Sequence, residues 1–108
     1  MTTQSQSQSQ QDRVAAFIDR HDLETPPAFR LLDLTSEVGE LAKDANESTD
    51  YGSAPDELDL SSDELGDVLF ALLALANSVD VDAEAALDEA LAKYEARLED
   101  AASPGSGQ

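Results

Sequence analysis

The sequence predicts an all-α domain. Four segments carry apolar residues recurring at three and four, no stretch alternates with the period of two that a strand requires, and turn-forming residues separate the segments. The expected architecture is a central antiparallel helical hairpin flanked by two more helices, which makes a four-helix bundle. The polar, low-complexity stretches 1–11 (MTTQSQSQSQQ) and 103–108 (SPGSGQ) are expected to be unstructured tails around a domain at 12–102.

The first helix is expected over about Asp12 to His21, where Val14, Phe17 and Ile18 share a face. Pro26-Pro27 opens the second, because proline in a first helical turn costs no hydrogen bond. There Leu31, Leu34, Val38, Leu41 and Ala45 recur at heptad spacing until about Asn46. The connection from Glu47 to Leu60 contains Gly52 and Pro55 and is long for a compact domain, so it is a candidate substrate loop or holds a short helical turn begun at Pro55. The third helix begins at Ser61 or Ser62 and runs to about Val79, with a stripe of Leu65, Val68, Leu69, Leu72, Leu75, Ala76 and Val79. Phe70 and Leu73 fall outside that stripe, so the helix is apolar nearly all round and belongs at the centre or at a subunit interface. The fourth, about Asp82 to Asp100, aligns Leu87, Leu91, Tyr94 and Leu98.

Composition narrows the function. Twenty-four acids against six bases give a formal charge of −18, with no Lys/Arg cluster, which excludes a nucleic-acid or anionic-membrane partner. The acids are spread along the chain and lysine occurs only at Lys43 and Lys93, a balance suited to the high-salt cytoplasm of a halophilic archaeon, where self-repulsion is screened. Without cysteine there is no disulfide, thiolate metal site or cysteine nucleophile. The N-terminus lacks the pattern of a signal peptide, and the longest apolar run, Val68 to Ala76, is about half a membrane span, so a cytoplasmic location is expected. A core this small favours self-association.

The strongest chemical signal is a doubled pattern, SEVGEL at 36–41 and DELGDV at 63–68. At about 100° per residue, Glu37 and Glu40 lie at about −100° and −160° from Val38, and Glu64 and Asp67 lie at the same two angles from Leu65. Each helix carries its acids on the same shoulder of its apolar stripe, so an antiparallel pair can bring four carboxylates together. Two unit charges about 4 Å apart repel by roughly 4 kcal/mol at an effective dielectric of about 20, so protons or cations must neutralise them. Oxygen ligands without His or Cys suit a hard ion such as Mg²⁺. Two bland readings compete: Ser61-x-x-Glu64 fits a capping box, and an E-x-x-E on an acidic helix can be solvated surface. Gly39 and Gly66 each cost about 1 kcal/mol relative to Ala in a helix, which hints at close backbone approach. His21 reads as a helix-end residue. Phe29 and Tyr94 fit a base-stacking role or a helical core position equally.

A helical E-x-x-E followed by E-x-x-D after 23 intervening residues, Glu37, Glu40, Glu64 and Asp67 here, resembles the MazG-like, all-α nucleoside triphosphate pyrophosphohydrolases from about Arg13 to Asp100. The resemblance implies a MazG-like bundle that assembles as a homodimer or homotetramer. It also implies four carboxylates that bind Mg²⁺, with Mn²⁺ as a substitute, and a nucleoside triphosphate substrate cleaved to a monophosphate and pyrophosphate. It further implies phosphate contacts from the last helix, for which Lys93 and Arg97 stand one turn apart. A salt bridge from Glu89 to Lys93 is the plainer reading of that lysine. Two departures stand out: Ser36-Glu37 replaces a glutamate doublet common in the family, and an asparagine often found in the last helix is missing. The same fold also serves phosphoribosyl-ATP and deoxynucleotide-specific pyrophosphatases, and a catalytically silent helical oligomerisation module is the reading from another class. A di-iron carboxylate bundle is disfavoured, since neither acid pair is followed by the histidine such a site needs.

Overall fold

In the computed structural model, residues 9–102 are described. The two expected tails, apart from residues 9–11, lie outside them. Helix α1 spans Gln10–Arg20 and starts two residues earlier than its apolar pattern indicates, because Ser9 caps it by accepting a bond from the Asp12 N–H at 3.0 Å. Residues 9–11 therefore belong to the folded part rather than to a tail. The helix stops at His21, and Asp22 turns the chain at a φ of 57°.

Helix α2, Pro27–Ser48, has proline in its first turn, as expected, and runs two residues past Asn46. The Thr49 hydroxyl ends it by donating to the Ala45 carbonyl at 2.6 Å and accepting from the Gly52 N–H at 3.0 Å. Asp50, Tyr51 and Gly52 then take left-handed φ values of 52°, 56° and 92°. The short turn expected at Pro55 is a 3₁₀ turn, Pro55–Glu57. Helix α3, Ser62–Ser78, is capped by Ser61, and helix α4, Ala83–Ala102, by Asp82, whose carboxylate accepts from the Glu84 and Ala85 N–H groups at 3.0 and 3.2 Å. There is no strand among the described residues.

Helix α3 is the hub, with α2 packed along one side and α1 along the other. Helix α1 runs antiparallel to α3: the Phe17 and Phe70 rings meet edge to face at 5.9 Å, and Asn77 donates to the Gln11 carbonyl at 3.1 Å. The buried apolar residues are Ile18, Ala71, Leu73, Ala74 and Ala76, which places the core on the alanine-rich side of α3. That differs from the expected stripe, since Leu65, Leu69, Leu72 and Val79 are exposed, as are Leu31 and Val38 of α2. The apolar surface of these helices is wider than their neighbours within one chain can cover.

The fourth helix departs most from expectation. It does not complete a bundle within the chain: no residue of α4 is buried, and it packs little against the other helices. The radius of gyration is 18.3 Å, against about 13 Å for a compact chain of this length.

Candidate functional site

The site is built where the end of α2 meets the start of α3. Ser61 accepts a hydrogen bond from the Glu64 N–H at 3.1 Å, which ties down the first turn of α3 and fixes where the Glu64 side chain departs. The carboxylate does not complete the capping box: among the described residues its Oε1 is buried with no hydrogen-bond partner. Capping thus accounts for Ser61 and leaves the Glu64 carboxylate unexplained.

Helix α2 brings Asp44 and Glu40 towards this carboxylate. Ionised, Oε1 has no donor; protonated, it can share its proton with Asp44. That carboxyl-to-carboxyl hydrogen bond, then burial, then the charges of Asp44, Glu40 and Asp63 push the Glu64 pKa up to about 7. Beside it lies an open cavity of about 390 Å³ lined by Asp44, Glu47, Ser48, Asp59 and Ser61, two of which are joined by a bond from the Asp59 N–H to Ser48 Oγ at 3.0 Å.

Of the six residues singled out in the sequence, Glu40 and Glu64 are near enough for the charge of one to raise the pKa of the other. Glu37 is half-buried in line with Leu34, Leu41 and Asp44, and Asp67 is exposed on α3. Neither of them adds to the Glu64 shift. Lys93 and Arg97 are on α4, where their charged groups lie 5.3 and 6.0 Å from the centre of the Tyr94 ring. Within one chain they are not brought to the acids. Asp44 was not among the expected residues, although its signal was present: it stands four residues after Glu40, at about −120° from Val38, on the same shoulder as Glu37 and Glu40.

The donor set fits a hard cation. A buried carboxylate oxygen without a donor, facing acids on a neighbouring helix, is satisfied by a bound cation or by a proton. As the side chains stand, no three His, Cys, Asp or Glu among the described residues converge closely enough to enclose an ion. The set is an open face, of the kind on which Mg²⁺ keeps waters and substrate phosphates.

Gly39 and Gly66 have no neighbour within 4 Å of where a Cβ would sit, so close backbone approach is not what places them. His21 is the C-cap of α1, as expected, while Phe29 and Tyr94 are exposed rather than core.

Residues 27–101, from the first residue of α2 to near the end of α4, match the family model of the MazG nucleotide pyrophosphohydrolase domain. The chain belongs to the MazG nucleotide pyrophosphohydrolase family. Among MazG-type relatives, the crystal structure of the Bacillus-conserved MazG protein, a nucleotide pyrophosphohydrolase, superposes with a TM-score of 0.62 at 33% identity over 78% of this chain and 83% of that one. That of YpjD from Bacillus subtilis gives 0.64 at 34% identity over 82% and 95%. By sequence, YpjD of Bacillus subtilis strain 168 is 42% identical over 78 residues, 68% of either chain. This MazG-type chain is thus a hydrolase acting on nucleotide phosphoanhydrides. Helix α1 precedes the stretch that the MazG family model matches.

Proposed function

We propose that the chain is a Mg²⁺-dependent nucleoside triphosphate pyrophosphohydrolase, cleaving between the α- and β-phosphates to give a monophosphate and pyrophosphate. The observation that carries this reading is the buried Glu64 Oε1, without a donor and opposite the acids of α2. Glu37, Glu40, Glu64 and Asp67 would hold the ion, with Mn²⁺ as a substitute, and Asp44 supports Glu64. When bound, the ion neutralises phosphate charge and acidifies water. A glutamate of the set orients the water that attacks the α-phosphorus, and Lys93 and Arg97 bind the phosphates that leave as pyrophosphate. The active form is a homodimer or homotetramer, a reading supported by the exposed leucines of α3 and α4.

Incubation with a nucleotide panel in concentrated KCl, Mg²⁺ and H₂¹⁸O tests this. Label in the monophosphate and none in pyrophosphate is the expected result. Release of orthophosphate with a diphosphate would mean cleavage at the γ-phosphate. Turnover confined to phosphoribosyl-ATP or deoxynucleotides would narrow the substrate, and no turnover at all would favour a silent helical module.

A further inference from the structure

Arg30 is the fourth residue of α2 and heads the side of that helix which the fold covers, in line with Leu34, Glu37 and Leu41. At 8% exposure it is the one charged side chain buried among the described residues. An arginine is almost never buried without a partner of opposite charge. Among the described residues, however, its guanidinium has one hydrogen-bond partner, the Leu23 carbonyl just beyond α1, and no carboxylate in ion-pair contact. The sequence holds twenty-four acids, so the pairing is not left out for want of carboxylates.

The bond to Leu23 occupies one N–H of the guanidinium fork. The other donors are not sealed in, because among the described residues Glu64 Oε1 is the one buried side-chain polar atom without a hydrogen-bond partner. They reach the space that Arg30 lines, a cavity of about 180 Å³. Ala15 and Ile18 of α1 stand three apart in its wall, and Ala74, Asn77 and Ser78 of α3 stand three and four apart, so each helix contributes one face. Glu24 and Thr25 add the wall from the α1–α2 turn.

The polar groups of the wall define what fits. Asn77 and Ser78 already donate to the Gln11 and Leu75 carbonyls at 3.1 and 2.8 Å, so the Arg30 fork and the Thr25 hydroxyl are the chief donors left to a ligand. A planar guanidinium matches two oxygens that share a negative charge. Size sets the upper limit. Pockets for drug-sized ligands run to about 300–1,000 Å³, so this cavity is too small for a nucleotide and has room for a carboxylate or a free phosphate.

We propose that Arg30 and this cavity form a binding site for a small oxyanion, a carboxylate or inorganic phosphate, which ties α1 and the α1–α2 turn to α2 and α3. Asp44 lies fourteen residues further along α2, about 21 Å away along the axis. The site is therefore separate from the acid face and does not depend on the proposed reaction. Its rival is internal: Glu24, exposed in the wall, could turn its carboxylate onto Arg30 and supply the charge from the chain itself.

The test uses the full chain without divalent metal, which leaves the acid face with no attraction for anions. At constant molar potassium, chloride is exchanged stepwise for acetate or for phosphate, while the Arg30 side-chain N–H is followed by NMR and unfolding by thermal melts. A saturating shift of that N–H is expected. Acetate alone would name a carboxylate as the ligand, phosphate alone a phosphate, and both the shared oxyanion chemistry. At about ten times the midpoint concentration the unfolding constant should be lowered about 11-fold. Arg30→Lys keeps the charge and loses the fork, so binding should weaken about tenfold. If that variant disturbs folding, Ala15→Leu decides: at an exposed position in the wall, it fills the cavity from outside and should abolish saturation while leaving the melt in chloride unchanged. Glu24→Gln should tighten binding, because it removes the one negative charge in the wall. No saturation with either anion overturns the proposal, and so does saturation that survives Ala15→Leu, which would place the anion elsewhere. A wild type indifferent to both anions, with a lower melting temperature in Glu24→Gln, overturns it in favour of Glu24 as the partner of Arg30.

Discussion

At the scale of single residues, Glu64 couples its proton to stability and, under the proposed function, to the metal. Its folded pKa of about 7 stands above the ordinary 4.5, so the metal-free folded chain holds a proton that the unfolded chain has released. The stabilisation from this group is fully present below about pH 4.5 and is lost as pH rises through about 7. Melting temperatures in chelator should fall across that window, and Glu64→Gln should flatten the fall. Asp44→Asn removes the first cause of the shift and should move the Glu64 titration downwards, measured by carboxyl NMR. On the proposed metal role Mg²⁺ would displace the proton, so its stabilising effect should be larger at pH 8 than at pH 5, and Glu64→Gln should weaken it. Without metal, Glu64→Gln should leave the cap intact, because the bond to Ser61 comes from the backbone N–H. Ser61→Ala should instead cost about 1 kcal/mol in thermal melts at any metal concentration.

At the scale of the elements, the helices are held by their ends as much as by their faces. Gln11 joins the start of α1 to the end of α3 and the start of α4 through its carbonyl and both ends of its side-chain amide. Gln11→Ala keeps the backbone bond to Asn77 and removes the two side-chain bonds, at a cost of about 1–3 kcal/mol. Hydrogen exchange should quicken at Ala83 in that variant and remain slow at Ala74; unchanged protection at Ala83 would show that the amide does not hold the connection. Within α2, Gly39 has open space where a methyl group would sit, and no special φ. Gly39→Ala should therefore raise stability by about 1 kcal/mol through helix propensity alone, and a lower melting temperature would point to a neighbour supplied by another chain.

At the scale of the whole molecule, a charge of −18 is carried by a chain whose largest helix pairings leave α4 without a packed face. Self-repulsion among the acids grows as the Debye length rises from about 3 Å in molar salt to about 10 Å at 0.1 M. Dialysis from molar KCl to 0.1 M should therefore lower helix content or dissociate the proposed oligomer, followed by circular dichroism and sedimentation together. Signals that hold steady through that range would remove the case for adaptation to high salt. No helix among the described residues is long and apolar enough to cross a membrane.

The sequence by itself determined the helices, because their signals are local. Ser61, Pro27 and the spacing of three and four are properties of neighbouring residues, and α2, α3 and α4 begin within two residues of where those signals place them. The family was legible for the same reason, since the two acid pairs and the interval between them survive in one dimension. Only the tertiary structure decided which side of each helix is covered. An apolar residue reads the same in sequence whether or not its own chain covers it, so Leu65, Leu69 and Leu72 looked like core, while Ala71 and Ala74, too small to stand out, are buried along with Leu73 and Ala76. Asp44 stayed hidden for a related reason. Its role comes from the packing of α3 against α2, which sets it against Glu64 across 20 residues of chain, and that proximity is a property of packing rather than of pattern.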